Sequence, residues 1–337
     1  MASEAPPFWW EKPDWRSTLL WPVSAAYGFI AARRMLGAKR ERTGLPVLCV
    51  GNPTVGGSGK TPLAIALARE AQALGRQPGF LSRGHGGTLS RPHLVDIRHD
   101  SARATGDEPL LLARQAPTVV AADRAAGARL LAAEGCDFLI MDDGFQSARI
   151  HFDYGLLVID ARRGLGNGHM LPGGPVRAPV VDQLRFADAV IRMGKGEGAD
   201  GFIRAAARAA LPVFDAWTAP RPGSGVEGRR LVAFAGIGDP GKFFATVREA
   251  GGEIADTRTF GDHHVYTDGD LSGLLDMADQ AGADLVTTEK DAVRIRQTSP
   301  VAERLLARLK VIAIDVEFEQ PAAARRIVEA TLDAFKD

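Results

Sequence analysis

The sequence predicts an α/β protein. A parallel sheet domain with a phosphate-binding loop is followed by a second, smaller α/β domain and preceded by an N-terminal helix of interfacial character. Three observations predict it. Short apolar runs alternate with helix-like segments over most of the chain, the pattern of βαβ units whose parallel sheet is covered on both faces. A glycine-rich stretch lies between the first such run and the first long helix. A Pro/Gly-rich polar segment at 218–230 divides the alternation, as a linker does. The expected organisation is a membrane-interface segment at 1–42, a P-loop domain at 43–217, the linker, and a second domain at 231–337.

Composition narrows the function classes. The 337 residues suffice for about two domains, and 45% apolar with 24% charged residues excludes a disordered chain. Lys plus Arg (41) balances Asp plus Glu (41), so no global basic field argues for nucleic acid. Cys49 and Cys136 lie far apart in apolar runs, which excludes a CxxC metal site and a disulfide framework.

Residues 1–42 differ in character from the rest. Trp9, Trp10, Trp15 and Trp21 precede or edge an apolar run at 19–32, and Arg33, Arg34, Lys39, Arg40 and Arg42 follow. No small-residue cleavage site closes this run, so it is not a secretory signal. It is also too short to span a ~30 Å hydrocarbon core. Aromatic edges and a basic cluster suit a helix lying in a membrane interface. The same residues also suit a helix packed on the protein's own core.

From residue 45 the runs at 45–50, 78–81, 93–97, 118–121, 138–141, 155–159 and 189–192 read as strands. Helices are expected at 61–74 and 124–134. Beyond the linker, strands are expected at 231–235, 253–260, 283–287 and 311–316, with helices at 242–250, 270–282 and 322–335.

The strongest motif is GNPTVGGSGKTP at 51–62. It stands between a strand and a helix, the context that a P-loop requires. Thr54, Val55, Gly56, Gly57, Ser58 and Gly59 would wrap phosphate oxygens with backbone N–H groups. Lys60 would reach the β- and γ-phosphates and Thr61 would ligate Mg²⁺. Thr54 occupies the first glycine position of the usual pattern. Asp142 and Asp143 end a predicted strand, where such an enzyme keeps an acid for Mg²⁺, although an Asp after a strand also commonly caps a turn. No Asn-Lys-x-Asp signature of guanine recognition is present, so ATP is the expected nucleotide. Asp107 opens a helix and could cap it. Arg124 opens another and could reach phosphate or pair with a carboxylate. Adjacent His263 and His264 face opposite sides of an extended chain. One of them oriented by a carboxylate would make a general base, and a structural histidine is the alternative.

Together these residues resemble the tetraacyldisaccharide 4′-kinase family over nearly the whole chain. The resemblance rests on GNPTVGGSGKTP at 51–62, SRGHGG at 82–87, GDEP at 106–109, Asp123-Arg124 and DDGFQ at 142–146. It continues through GNGHMLPGGP at 166–175, AFAGIGDPGKFF at 233–244, DHHVY at 262–266 and TTEKDAVRI at 287–295. Ser147, Ala178 and His85 depart from the family's usual residues. The resemblance implies a membrane-associated P-loop kinase of two α/β domains. Its substrates would be ATP and an acylated glucosamine disaccharide 1-phosphate, phosphorylated at the 4′-hydroxyl to give lipid IVA at the cytoplasmic face of a Gram-negative inner membrane. It also implies that Asp107 and His263 form an acid/base pair across a closing cleft. Arg124 would then neutralise charge on the transferred group. No obligate protein partner is expected. A membrane-recruited P-loop switch ATPase would share the phosphate loop and the amphipathic start. It would not explain a polar cluster in the second domain facing the nucleotide.

Overall fold

The computed structural model describes residues 5–84, 86–89, 91–147, 149–295 and 299–336. His85 therefore lies outside the described residues. Nine strands form one sheet: β1 (Val47–Gly51), β2 (Pro78–Ser82), β3 (His93–Leu94), β4 (Thr118–Val120), β5 (Phe138–Asp142), β6 (Tyr154–Asp160), β7 (Ala189–Met193), β8 (Val213–Pro220) and, from the far end of the chain, a strand at Ile314–Phe318. Four more, β9 (Arg230–Ala235), β10 (Glu253–Thr259), β11 (Asp284–Thr288) and β12 (Leu309–Ile312), form a second sheet. With Ile314–Phe318 as β13, the orders are β13-β8-β7-β6-β1-β5-β2-β4-β3 and β10-β9-β11-β12. Pairing is parallel except where β3 meets β4 and β13 meets β8.

Strand β1 is buried at every position. Its alternate side chains serve two cores: Leu48 and Val50 on one face, Val47 and Cys49 on the other. The helix Lys60–Ala73 covers the first face with Leu63 and Leu67. The C-terminal helix Ala323–Lys336 joins it there through Ile327 and Val328. Apolar runs that are buried on both faces are what a doubly covered parallel sheet demands. They explain why most of the strands were legible as short continuous apolar segments.

Three expectations change. The apolar run at 311–316 is not one strand of the second sheet. It breaks at Ala313, and β13 returns to pair antiparallel with β8 of the first sheet. Arg69 and Arg221 both anchor Asp315 there, with Nη1 of Arg69 2.6 Å and Nη2 of Arg221 2.7 Å from Oδ1. Residues 314–336 thus belong by their hydrogen bonds and core to the first lobe, and the second lobe is smaller than 231–337. The linker begins later than residue 218, because β8 runs to Pro220. The run at 93–97 supplies only the two-residue β3.

The N-terminal segment forms helices Trp15–Leu19 and Trp21–Gly37. Asp14 caps the first, accepting from the Arg16 and Ser17 amides. One face is seated: Ser24, Gly28 and Met35 are buried, and the Ser24 hydroxyl accepts from the Gly173 amide at 3.0 Å. The other face leaves Trp15 (72%), Leu19 (70%), Trp21 (60%) and Phe29 (63%) largely exposed, together with Val23, Ile30 and Leu36. One face of the segment thus packs on the protein's own core, and the other presents apolar side chains to the outside. No helix among the described residues is long and apolar enough to cross a membrane.

Candidate active site

The phosphate loop leaves the carboxyl end of β1 beside β5, with Val50 in register with Asp142. That is where open α/β sheets bind ligands. The helix starts at Lys60, one residue before the expected position, with Gly59 as its left-handed cap at φ +83°. A Cβ on Gly59 would also meet the Met193 side chain at 3.0 Å. Thr54 bridges Val176 through the backbone, and the Val55 amide donates to the Pro175 carbonyl at 2.8 Å. Those two expected phosphate-binding positions are thus tied to the 166–177 loop. The amides of Gly56, Gly57 and Ser58 have no protein acceptor among the described residues. The Ser58 hydroxyl is buried without a partner. Gln146 and Gln183 brace the loop from beneath, donating to the carbonyls of Asn52 (2.9 Å) and Pro53 (3.3 Å).

Lys60 is buried rather than solvent-facing, with Nζ 3.9 Å from Asp143 Oδ1. The Arg177 guanidinium donates to the same oxygen at 2.5 Å. Burial opposes ionisation of Asp143, yet Lys60 and Arg177 hold its carboxyl well below the usual carboxylate range. Asp143 keeps a left-handed backbone at φ +53°, a conformation that side chains other than glycine adopt at a cost and that Asp tolerates better than most.

Asp142 is in the opposite state. It is 1% exposed, and neither carboxylate oxygen has a hydrogen-bond partner. It therefore caps no turn. Burial, with Glu108 and Asp143 nearby, pushes its carboxyl up to about 7 against the pull of Lys60. An unpartnered buried carboxylate is costly unless a cation or proton completes it. Its chemistry fits Mg²⁺, which typically takes one or two carboxylates with phosphate and water. Thr61 is buried in the first turn of the helix after the loop. Arg124 is also buried, and both its terminal nitrogens lack partners. Burial lowers its guanidinium to about 10, while Asp142 and Asp143 pull the other way. Buried guanidinium donors without a protein partner suit an anion such as phosphate.

The second lobe meets the first at the helix Asp107–Ala113. Gly106 stands at its cap with φ +91°, so Asp107 is the first helical residue and not the cap. Asp107 Oδ2 lies 3.3 Å from His263 Nδ1, so the predicted pair is in contact across the lobes. The His263 side chain remains 39% exposed and its backbone is left-handed at φ +58°. The contact with Asp107 raises the His263 imidazole above its ordinary value, and burial and Arg294 oppose the rise. His264 turns the other way: Nε2 is 3.1 Å from Asp270, and its ring stacks on Phe260 with centroids 4.7 Å apart. It is structural. Glu108, next to Asp107, is held ionised chiefly by Lys290, and Lys60 of the phosphate loop acts in the same direction. The Asp107–Glu108 pair thus lies within electrostatic reach of the nucleotide site.

Sequence reasoning missed Arg177, Gln146, Glu108, Lys290 and Arg294. All five lie in or beside segments that had been singled out, but only three-dimensional contacts separate them from their neighbours. Of the departures from the family pattern, Ala178 is fully buried. Ser147 sits in the turn after Gln146, its amide donating to the Gly144 carbonyl at 2.9 Å.

A family model described as tetraacyldisaccharide-1-P 4′-kinase matches residues 16–333. A tetraacyldisaccharide 4′-kinase of Mesorhizobium japonicum is 56% identical over 337 residues, covering 100% of this chain and 98% of the relative. Those of Chelativorans sp. and Brucella ovis are 54% and 52% identical over 336 residues, with the same coverage. Among solved structures, LpxK of Aquifex aeolicus, crystallised in complex with ATP, superposes with a TM-score of 0.71 at 24% identity. The match covers 95% of this chain and 99% of that one.

Proposed function

The chain belongs to the tetraacyldisaccharide 4′-kinase family, an ATP-dependent kinase of lipid A biosynthesis that phosphorylates the 4′-hydroxyl of tetraacyldisaccharide 1-phosphate to form lipid IVA. From that premise we propose how its cleft divides the work. The amides of residues 56–61 and Lys60 hold the β- and γ-phosphates. Arg124 pairs with the charge that grows on the transferred group. Thr61 and Asp142 hold Mg²⁺, with Asp143 locked by Arg177 beside them. Mg²⁺ bound there would neutralise phosphate charge during transfer. His263 donates Nδ1–H to Asp107, which leaves Nε2 with a lone pair to accept the proton of the sugar hydroxyl. Positioning and fixed charge supply the rest of the rate.

The observation that carries the metal assignment is the unpartnered carboxylate of Asp142. Asp142→Asn keeps the shape and removes the charge. The Mg²⁺ concentration needed for half-maximal transfer should then rise by at least the ~10-fold that even outer-sphere losses cause. An unchanged Mg²⁺ requirement would remove Asp142 from the metal site.

We further propose that the protein works as a monotopic enzyme on the cytoplasmic face of the inner membrane. The support is the exposed apolar face of residues 15–36 followed by basic residues. An acylated substrate resides in a bilayer, and interfacial tryptophans with cations hold a helix at that depth. Replacing Trp15, Trp21, Arg33 and Arg34 with polar uncharged residues should shift the protein from membrane to supernatant. The same change should raise KM for lipid more than KM for ATP. An unchanged partition would return this helix to a purely structural role.

A further inference from the structure

Arg294 has no part in that division of work, yet its side chain is only 4% exposed and spends every arm at the lobe boundary. Nε donates to Asp107 Oδ2 at 3.1 Å, and Nη2 contacts the same oxygen. Nη1 donates to the Gly236 carbonyl at 2.6 Å and to Asp291 Oδ1 at 2.9 Å. Nη2 also lies 3.4 Å from His263 Nδ1.

Asp291 is itself immobilised. It accepts from the Tyr266 hydroxyl (2.9 Å), the Gly236 amide (3.0 Å) and the Thr288 hydroxyl (2.7 Å). Lys290, four residues before Arg294, reaches Glu108 Oε1 at 2.7 Å. One short segment of the second lobe therefore grips two successive acids at the start of a first-lobe helix.

Such a grip has a chemical consequence. A carboxylate oxygen held from one side by a rigid fork has a fixed direction for its remaining lone pair, and the same Oδ2 that Arg294 holds lies 3.3 Å from His263 Nδ1. The fork also keeps Asp107 ionised, so Asp107 accepts from Nδ1–H and the lone pair stays on Nε2. Without the carboxylate, the guanidinium beside Nδ1 would favour the opposite tautomer.

We propose that Arg294 is a positioning residue for phosphoryl transfer: it carries Asp107 to His263 when the lobes meet and fixes the imidazole tautomer that accepts the hydroxyl proton. This rests on the reading of Asp107 and His263 as a pair.

The test compares Arg294→Gln and Arg294→Lys with the parent enzyme, by kcat, both KM values, the pH profile of kcat and the melting temperature. Lysine keeps the buried charge, so that variant folds even if the glutamine variant does not. A single ammonium cannot serve both Asp107 and Asp291. Arg294→Gln should lose about 10- to 100-fold in kcat, the size typical of an outer-shell partner, with KM for ATP within about twofold. Arg294→Lys should lose less.

The charged groups facing His263 are Asp107, Arg294 and Asp262, with Lys290 acting through Asp107. Arg294 is the cation among them that opposes protonation of the imidazole. Its removal should move the acid limb of the kcat profile to higher pH, a shift that lost packing alone does not produce. The proposal is overturned if the acid limb stays in place while kcat tracks the melting temperature. It is also overturned if either folded variant keeps the parent's kcat. His263→Ala separates the two levels. Near-normal transfer by that variant ends the pair and the proposal with it, whereas an impaired His263→Ala beside a fully active Arg294→Gln ends the role of Arg294 alone.

Discussion

Lys60→Ala should abolish labelled-lipid formation from γ-labelled ATP and acylated disaccharide 1-phosphate. Lys60 is the cation that the loop itself sets at the start of the helix, and its ammonium is buried 3.9 Å from Asp143. Removing one fixed donor from a dry site typically costs ~10²–10³-fold. A lysine that meets both β- and γ-phosphate should cost at least that. Burial of Lys60 raises the question of folding. Its neighbour Asp143 keeps the Arg177 guanidinium at 2.5 Å, so the variant leaves no carboxylate newly unpaired. Circular dichroism and a melting curve close to the parent's are therefore expected alongside the lost transfer. A folded Lys60→Ala with near-normal transfer would remove the loop from the chemistry.

The sheet was legible because its central strands are buried on both faces, so their runs are apolar without interruption, as in Val47–Val50 and Phe138–Met141. What escaped was set by pairing at a distance. Strand β13 carries Asp315 and Glu317 between its apolar residues and sits at the sheet's edge. No local pattern says that it recrosses to the first lobe, where β8 and two arginines hold it. At the site, the loop and the carboxylates were legible because phosphate chemistry restricts both residue type and spacing. The contacts of Arg177 and Arg294 were not, because an arginine's partner is a matter of reach rather than spacing. The sequence left Asp107 open between helix cap and acid/base partner. Gly106 takes the cap and leaves Asp107 for His263.

Through that contact the two lobes together would assemble the proton acceptor. A sugar hydroxyl has a high pKa, and a positioned base is ordinarily worth ~10²–10⁴-fold. Asp107 raises the pKa of His263. The base must be neutral to act, so kcat should fall as pH drops through a value higher than an ordinary imidazole's, and the lost rate should return on the alkaline side. Neither group touches the phosphate loop, so KM for ATP should hold in their variants. Asp107→Ala leaves the buried Nε and Nη2 of Arg294 without their carboxylate and should lower stability through that alone. The His263 side chain is 39% exposed, and at a pH where the imidazole is neutral its loss should cost little stability, because the stability from its raised pKa is present only at lower pH. The deciding measurement is kcat for Asp107→Ala, His263→Ala and the double variant, each with its melting temperature. Large and similar single losses are expected, with a double variant little worse than either single and a near-parental melting temperature for His263→Ala at neutral imidazole, since members of one catalytic unit do not add. Independent losses that multiply in the double variant, with a melting temperature that falls in His263→Ala as well, would contradict that pairing.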